Sequence, residues 1–226
     1  MSKRSKRYKK SEQFVDIATK YTVDEAIGIL ANLAPVKFDE TIDLVVRLGI
    51  DPKKSDQLVR GSVSLPRGIG KSKRVIVFAE GDKAKEAEEA GAIEVGSAEL
   101  AAKIQGGWLD FDVAIATPDM MRHVGKLGRV LGPQGKMPTP KSGTVTTEVG
   151  NAVREFAAGK IEFRNDAGAN VHVPVGKRSF EPDSLKENVE AFFEHLKGLR
   201  PATSKGTYLV SATLSTTMGP GISLAV

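Results

Sequence analysis

The chain has 226 residues, 40% of them hydrophobic and 27% charged, and a net charge of +5, which suits a globular protein of two small domains. The absence of cysteine excludes disulfides and thiolate metal sites. No apolar run reaches the length of a membrane span and no secretory signal opens the chain, so we expect a cytoplasmic protein without membrane contact.

A basic arm opens the chain: its first ten residues, MSKRSKRYKK, hold six cations and no acid. This pattern is typical of a disordered nucleic-acid contact, and equally of a solvated tail without a specific role. Two helices are predicted next. Ser11 is placed to cap the first, through SEQFVDIATKY, while Thr22 and Glu25 form a capping box before AIGILANLA, a helix that Pro35 ends.

The segment TIDLVVRLGI then predicts a strand with one apolar side (Ile42, Leu44, Val46 and Leu48) and one mostly polar side. A turn-rich connection and a short strand, SVSLP, follow it. From residue 68 the pattern changes. The apolar strands RVIVFAEG, IEVG and FDVAIATPD alternate with the helices DKAKEAEEAG and SAELAAKIQGG, which indicates a parallel or mixed sheet with helices packed on it.

No acidic residue occurs between Asp119 and Glu148, in a stretch rich in glycine and proline. Its cations are Arg122, Lys126, Arg129, Lys136 and Lys141. Glycine permits a close approach of the backbone and cations attract phosphate, so the stretch favours a polyanion partner. The alternative is a solubilising surface loop. A helix through EVGNAVREFAAG follows.

The last third returns to half-exposed strands, KIEFRND and ANVHVPVG, then an amphipathic helix, EPDSLKENVEAFFEHLKG, and a final strand, GTYLVSATLSTTM. We therefore predict an α/β protein of two domains. An α+β split β-α-β domain with an antiparallel sheet (residues 1–67 and 160–226) is interrupted by an inserted Rossmann-like three-layer α/β domain (68–159). The two crossings would permit hinge motion. The alternative is one domain with an elaborate sheet.

The final strand carries four hydroxyls on one face: Ser211, Thr213, Ser215 and Thr217. Hydroxyls bind phosphate and sugar oxygens, and in RNA also the ribose 2′-hydroxyl. A plain solvent-facing strand would show threonines as well. The neighbours favour RNA, because MGPG follows with two flexible glycines, and Lys37 beside Phe38 would hold phosphate and stack on a base.

Signals for catalysis are weak. GIGKS at residues 68–72 lacks the first glycine of a phosphate-binding loop, where Leu65 stands, and leads into a strand. His123, His172 and His195 are scattered without ligand spacing, and no nucleophile motif is present. We predict no cofactor, no metal and no enzymatic activity. The alternatives are an enzyme acting on a phosphorylated substrate between the domains, and a DNA-binding regulator.

A family resemblance is carried by six segments: KFDETIDLVVRLGIDPKKSDQLVRGSVSLPRGIGK, GWLDFDVAIATPDMM, KLGRVLGPQGKMPTPKSGTVT, GKIEFRND, VHVPVGK and STTMGPG. Nearly end to end, the chain resembles the bacterial ribosomal protein L-one family, the mobile-stalk protein of the large subunit. The resemblance implies a hinged two-domain monomer within the ribosome that binds 23S-type rRNA directly. It also implies movement with exit-site tRNA and repression of the protein's own operon through binding of its mRNA.

The resemblance assigns RNA contacts by matching segment. They are Lys37, Phe38, Thr41, His172, Ser211, Thr213, Thr217, Met218 and Gly219, with Ser215 on the same strand face. Lys6, Arg7 and Tyr8 of the basic arm would add backbone contacts. In the inserted domain, Lys126, Arg129, Lys136 and Lys141 would face tRNA or another RNA surface.

Overall fold

The computed structural model describes residues 4–16 and 18–226. The helices are α1 (Lys6–Glu12), α2 (Val23–Asn32), α3 (Asp82–Glu89), α4 (Ala98–Gln105), α5 (Met121–Gly125), α6 (Gly128–Leu131), α7 (Val149–Ala157) and α8 (Pro182–Gly198). The strands are β1 (Thr41–Leu48), β2 (Arg60–Val63), β3 (Val75–Phe78), β4 (Glu94–Gly96), β5 (Val113–Ala116), β6 (Ile161–Arg164), β7 (Asn170–Lys177), β8 (Leu209–Thr216) and β9 (Gly221–Leu224).

The chain forms two compact units. Unit 1 contains the residues up to Gly70 together with Phe163–Val226, and unit 2 is Lys71–Glu162. Both boundaries lie three residues further along the chain than the predicted crossings. At the first crossing, Asn188 of α8 shifts the boundary. Its side-chain amide accepts from the Arg67 N–H at 3.1 Å and donates to the Gly68 carbonyl at 3.0 Å. These bonds hold the segment in unit 1.

Unit 1 is built on a four-stranded antiparallel sheet in the order β7-β1-β8-β9. Strands β7 and β8 are both antiparallel to β1, which lies between them, and α8 connects them, so this is the predicted split β-α-β arrangement. In β1 the residues Ile42, Leu44, Val46 and Leu48 are buried, as the alternation predicts. Helices α2 and α8 contact each other and the sheet, and α8 buries its predicted apolar stripe.

The predicted capping box of α2 is confirmed. The Thr22 hydroxyl accepts from the Glu25 N–H at 3.3 Å, and the Glu25 carboxylate accepts from the Thr22 N–H at 2.9 Å. These two bonds satisfy backbone donors that would otherwise lack partners at the helix start. They explain why α2 begins at Val23.

The first predicted helix is wrong in position. Ser5 caps α1, accepting from the Tyr8 N–H at 3.2 Å, so that residues 6–10 of the basic arm are helical. Ser11 lies inside this helix, and its buried hydroxyl accepts from the Ala34 N–H at 3.3 Å beyond the end of α2. This tertiary bond occupies the oxygen that was expected to cap. Lys3 and Ile17, which belonged to the predicted arm and helix, lie outside the described residues.

Strand β9 was not predicted. It pairs antiparallel with β8, with Leu214 opposite Ile222 and Ser215 opposite Gly221. Its four residues alternate between exposed or half-buried and buried positions, and Ile222 and Leu224 complete the core. Four residues are too few for their alternation to distinguish a strand from an irregular tail in the sequence. The strand forms because it can pair with the edge of β8.

Unit 2 has three layers, as predicted. Its parallel sheet has the order β4-β3-β5. All four residues of β3 are buried because both faces are covered: Ile76 and Phe78 pack with α4, α5 and α6, and Val75 and Val77 pack with α3 and α7. The acid-free stretch is more ordered than a loop. It contains α5, α6 and a 3₁₀ turn at Pro140–Ser142, and a second 3₁₀ turn, Pro118–Met120, overlaps its beginning.

Candidate RNA interface

One face of the unit 1 sheet carries the predicted hydroxyls. Along β8, Ala212, Leu214 and Thr216 are buried, whereas Ser211 is exposed and Thr213 and Ser215 are half-buried. Because side chains alternate across a strand, the hydroxyls lie on the face opposite to the core. Among the described residues, none of these three hydroxyls has a hydrogen-bonding partner within the protein.

The neighbouring strands extend this face in rows. Thr213 lies opposite Val45, which in turn lies opposite His172 of β7. Ser211 lies opposite Arg47, which lies opposite Asn170. Side chains at directly opposed positions are about 4.5–5.5 Å apart at Cβ. The sheet therefore presents a mostly polar surface, interrupted by Val45, which we call the hydroxyl face: Ser211, Thr213 and Ser215 with their cross-strand neighbours.

One carboxyl group lies in the hydroxyl face. Asp43 is opposite Ser215 on one side and Pro174 on the other. Burial raises its pKa, and the nearby His172 and Lys177 act in the opposite direction. The two basic side chains therefore offset part of the cost that burial imposes on the Asp43 carboxylate.

The segment after β8 is a turn, Thr217–Gly219, fixed to the rest of unit 1 by its backbone and by one hydroxyl. The Thr217 N–H donates to the Thr41 carbonyl at 3.0 Å, and the Thr217 Oγ1 accepts from the Thr41 N–H at 3.0 Å. The Met218 N–H donates to the Glu40 carboxylate at 3.0 Å, and the Arg7 guanidinium donates to the Met218 carbonyl at 2.9 Å. The Met218 side chain remains 47% exposed.

Gly219 is required by packing. A Cβ atom there would lie 2.4 Å from the Thr216 hydroxyl and 3.0 Å from a methyl group of Leu33. From the sequence we expected this glycine to admit the approach of RNA. The structure gives it an internal reason, because a side chain there would collide with Thr216 and crowd Leu33, which directly follows α2.

The turn is backed by a buried ion pair that the sequence analysis missed. Glu40 is 1% exposed, and its second carboxylate oxygen accepts from the Arg178 guanidinium at 2.8 Å. Arg178 also donates to the carbonyls of Leu33 and Ala34 after α2. In sequence, both look like ordinary surface charges: Glu40 is the last residue of KFDE, and Arg178 directly follows VHVPVGK. Only their burial distinguishes them.

The other predicted residues lie around this turn and face. Lys37 and Phe38 are exposed, Phe38 by 53%, so it is not the core residue that phenylalanine commonly is. The Thr41 hydroxyl accepts from the Lys177 ammonium at 2.8 Å. On α1, Lys6 is exposed and Tyr8 is half-buried beneath the Arg4 guanidinium, 4.9 Å from its ring centre.

His172 is exposed and has an acidic partner. Its Nε2 lies 3.5 Å from the Asp166 carboxylate. Hydrogen bonds from the Asn170 backbone and side chain, and from the Gly168 N–H, lower the pKa of Asp166 to about 2. Asp166 is therefore an anion throughout the physiological range, and it organises the turn from which β7 begins.

In unit 2 the predicted cations differ in their surroundings. Lys126, Arg129 and Lys141 are exposed, and none of the described carboxylates lies within 4.0 Å of them. Lys136 donates to the Leu109 carbonyl at 3.0 Å and lies 4.8 Å from the ring centre of Phe111. Lys136 therefore differs from the other three in using a donor inside unit 2, and its contact with RNA stays a prediction.

The described part of the chain contains no cluster of three or more histidine or acidic side chains arranged to hold a metal ion. None of its described helices is both long and apolar enough to cross a membrane.

The comparisons with known proteins agree with this architecture. Residues 30–220 match the family model described as "Ribosomal protein L1p/L10e family". The chain is 54% identical over 224 residues to the large ribosomal subunit protein uL1 of Kosmotoga olearia, and 57% identical over 224 residues to the protein of the same name from Chlamydia trachomatis serovar D. Each alignment covers 99% of this chain and 97% of the relative.

The fold and the comparisons define a structural protein of the large ribosomal subunit. The chain belongs to the ribosomal protein L1p/L10e family, which confirms the family predicted from its sequence segments. Its place is accordingly the ribosome, which in bacteria is cytoplasmic.

Proposed function

We propose that unit 1 binds large-subunit rRNA directly, through the hydroxyl face and the turn Thr217–Gly219. The observation that carries this proposal is the row of hydroxyls on the sheet face opposite to the core, which have no partner among the described residues and lie next to a turn whose backbone is already fixed. Hydroxyls of this kind suit ribose and phosphate oxygens. The exposed Phe38 beside Lys37 adds a stacking surface and a cation at one end of β1.

We propose that unit 2 contacts exit-site tRNA through Lys126, Arg129 and Lys141, and that the protein takes part in the movement and release of that tRNA as part of the mobile stalk. These three cations are exposed and have no acidic partner among the described residues. Such cations release counterions when they bind phosphate, which favours association with RNA of any sequence.

We further propose that the leader of the protein's own mRNA binds the same site as rRNA, and that the protein thereby represses its operon. Because the site consists of one face and one turn with a fixed backbone, it suits a single RNA structure that the mRNA leader and the rRNA would both contain. The prediction is mutual exclusion: an mRNA leader fragment should displace an rRNA fragment completely, and substitutions in the hydroxyl face should weaken both in the same ratio. A ternary complex of protein with both RNAs would contradict a shared site.

A non-enzymatic role is supported by the charge of unit 2. In α/β folds, ligands bind beyond the carboxyl ends of the strands. In unit 2 that position holds a pocket lined by three acids and one lysine, with two uncharged residues: Glu80, Asp82, Asp119, Lys83, Thr117 and Met120. Because the acids outnumber the single lysine, the lining disfavours a phosphorylated substrate, which argues against the alternative of an enzyme acting on phosphorylated compounds.

The test compares three nucleic acids at several salt concentrations: a folded fragment of large-subunit rRNA, the same fragment with its structure disrupted by substitution, and a DNA duplex of equal length. We expect the folded rRNA to bind far more tightly than the other two. The logarithm of its affinity should fall with the logarithm of the salt concentration, by about 0.7 to 0.9 per neutralised phosphate. Equal affinity for RNA and DNA would contradict recognition through ribose hydroxyls.

A further inference from the structure

We infer that Glu40 and Arg178 are positioning residues, which hold the turn Thr217–Gly219 in its RNA-binding form before RNA arrives. This inference rests on the proposed rRNA site, since it assigns a role in that site to two residues that do not touch RNA. The simpler interpretation of a basic residue directly after β7 is a phosphate contact, and the geometry points elsewhere.

The bonding of Arg178 leaves little of it for a ligand. Its side chain is 20% exposed. It donates to the Glu40 carboxylate at 2.8 Å and also to the carbonyls of Leu33 and Ala34. The guanidinium therefore links the end of α2 to the start of β1, and its charge is compensated inside the protein by Glu40.

Glu40 connects Arg178 to the turn by a hydrogen bond from the Met218 N–H. It is 1% exposed, and its two oxygens are divided between Arg178 and the Met218 N–H. A buried carboxylate is retained only when it is paired and hydrogen-bonded, so each of its bonds is expensive to break. The Arg7 guanidinium donates to the Met218 carbonyl, which belongs to the next peptide group along the chain. Both backbone groups of Met218 are thus occupied.

The consequence concerns the Met218 side chain. With its backbone fixed on both sides, Met218 is held with its side chain 47% exposed. A loop that is ordered before binding avoids the entropy cost of being ordered during binding. Glu40 and Arg178 should therefore contribute to RNA affinity without contributing to its dependence on salt.

The first experiment needs no RNA. The methyl group of each methionine is labelled with ¹³C, and its order parameter is measured by NMR in the wild type, in Glu40→Gln and in Arg7→Met. We expect the Met218 methyl signal to shift and its order parameter to fall in both variants. Met120, which is 5% exposed in unit 2, should not change in either. An unchanged Met218 in a folded Glu40→Gln protein would overturn the inference.

The second experiment measures the salt dependence of rRNA binding for Glu40→Gln, for the double variant Glu40→Gln/Arg178→Met and for Lys37→Met. We expect the first two to bind about 10- to 100-fold more weakly than the wild type, with the salt slope unchanged. This range corresponds to loss of the internal hydrogen bond from the Met218 N–H to the charged Glu40 carboxylate, after which the turn must be ordered during binding. Lys37→Met should lower the slope by about 0.7 to 0.9. A similarly lowered slope in the double variant would make Arg178 a phosphate ligand and overturn its positioning role.

The two experiments separate the inference from the function on which it rests. If the wild type fails to bind folded rRNA, the proposed function fails, whereas the methyl measurement still reports whether Glu40 orders the turn. If unit 1 of Glu40→Gln does not fold, as the absorbance of its tyrosines (Tyr8, Tyr21 and Tyr208) would reveal, Arg7→Met tests the fixed turn from the other backbone group of Met218. An unchanged Met218 in that variant would then count against the inference.

Discussion

Two hydroxyls on the outer side of β8 and its turn differ in what they already bind. Thr217 accepts from the Thr41 N–H at 3.0 Å, whereas Ser215 has no partner among the described residues. We predict that Ser215→Ala weakens rRNA binding by about 2- to 10-fold, the worth of one neutral hydrogen bond, and leaves the free energy of unfolding unchanged. Thr217→Val should weaken binding and also lower the free energy of unfolding by about 1 kcal/mol.

The measurements are rRNA titration and urea unfolding of unit 1. Tyr8, Tyr21 and Tyr208 all belong to unit 1 and the single tryptophan, Trp108, to unit 2, so tyrosine absorbance and tryptophan fluorescence follow the two units separately. Trp108 fluorescence should report the same unfolding midpoint for the wild type and both variants. A Thr217→Val protein with undiminished stability would show that its bond to Thr41 contributes nothing to folding.

Asp166 supplies a pH-dependent contribution to unit 1. Hydrogen bonds from Asn170 and Gly168 lower its pKa to about 2, from an ordinary value of 3.8. A lowered pKa in the folded state means that the carboxylate stabilises the fold above the ordinary pKa, and that this contribution is lost as the pH falls towards 2. We predict that Asp166→Asn is less stable than the wild type at pH 7, and that the difference shrinks between pH 3.8 and about 2.

The measurement is urea unfolding at pH 7, 4 and 2.5, followed by tyrosine absorbance. Asp56→Asn is the matched control, because Asp56 is exposed and accepts no hydrogen bond among the described residues; its stability difference from the wild type should stay small at every pH. If the deficit of Asp166→Asn were equally large at pH 2.5 and pH 7, the bonds to Asn170 and Gly168 would not depend on the charge.

The residues of the interface could be predicted only in part from the sequence. The hydroxyls of β8 follow from the alternation of a strand, and the exposure of His172 follows from the same rule. The internal bonds of Lys136 and Arg178 do not, because a cation in a sequence carries no sign of whether its partner is a carbonyl within the protein or a phosphate outside it. Glu40 is the clearest example, since its burial depends on three segments that meet only in the fold.

Among the elements, α2 is the one whose start the sequence determines most directly. Thr22 caps it, with Glu25 completing the capping box. We predict that Thr22→Ala lowers the free energy of unfolding of unit 1 by about 1 kcal/mol, the usual cost of losing a cap. The measurement is urea unfolding followed by tyrosine absorbance.

Thr203→Ala provides the matched control for this prediction. Thr203 also lies in unit 1, is exposed, and its hydroxyl has no bond among the described residues, so its removal should change stability by less than about 0.5 kcal/mol. A cost for Thr22→Ala no greater than that of Thr203→Ala would mean that water replaces the cap without loss.

The elements that the sequence failed to predict are short ones, in the acid-free stretch and at the two ends of the chain. Helix α1 begins five residues before the predicted cap, because Ser11 is bound to Ala34 instead. Strand β9 exists because β8 has a free edge. The long elements, such as α8 and β1, carry enough repeats of their period to be recognised locally, whereas short ones depend on partners that are distant in sequence.

At the scale of the whole molecule, each unit has a core of its own. Unit 2 encloses its parallel sheet between two apolar clusters, and unit 1 packs α2 and α8 on one face of its antiparallel sheet. The insertion could be predicted because the strand pattern changes from half-exposed to buried and back again. The proposed division of labour, with rRNA on unit 1 and tRNA on unit 2, follows from where each unit places unpaired polar groups.

This division predicts that charge can be removed from unit 2 without loss of rRNA binding. The variant is the triple substitution Lys126→Gln, Arg129→Gln and Lys141→Gln. We expect its affinity for the rRNA fragment to equal that of the wild type. Its affinity for deacylated tRNA should fall, and the salt slope should be lowered by up to about 0.9 for each phosphate that is no longer neutralised.

The matched control removes three exposed or half-exposed cations from α3 and α7 of the same unit: Lys83→Gln, Lys85→Gln and Arg154→Gln. Net charge then falls equally in both variants, so any general effect of charge on RNA binding cancels in the comparison. Equal loss of tRNA affinity in the two variants would mean that unit 2 attracts tRNA only through its overall charge. Loss of rRNA affinity in the first variant alone would place part of the rRNA site on unit 2, and the assignment of that site to the hydroxyl face would then be incomplete.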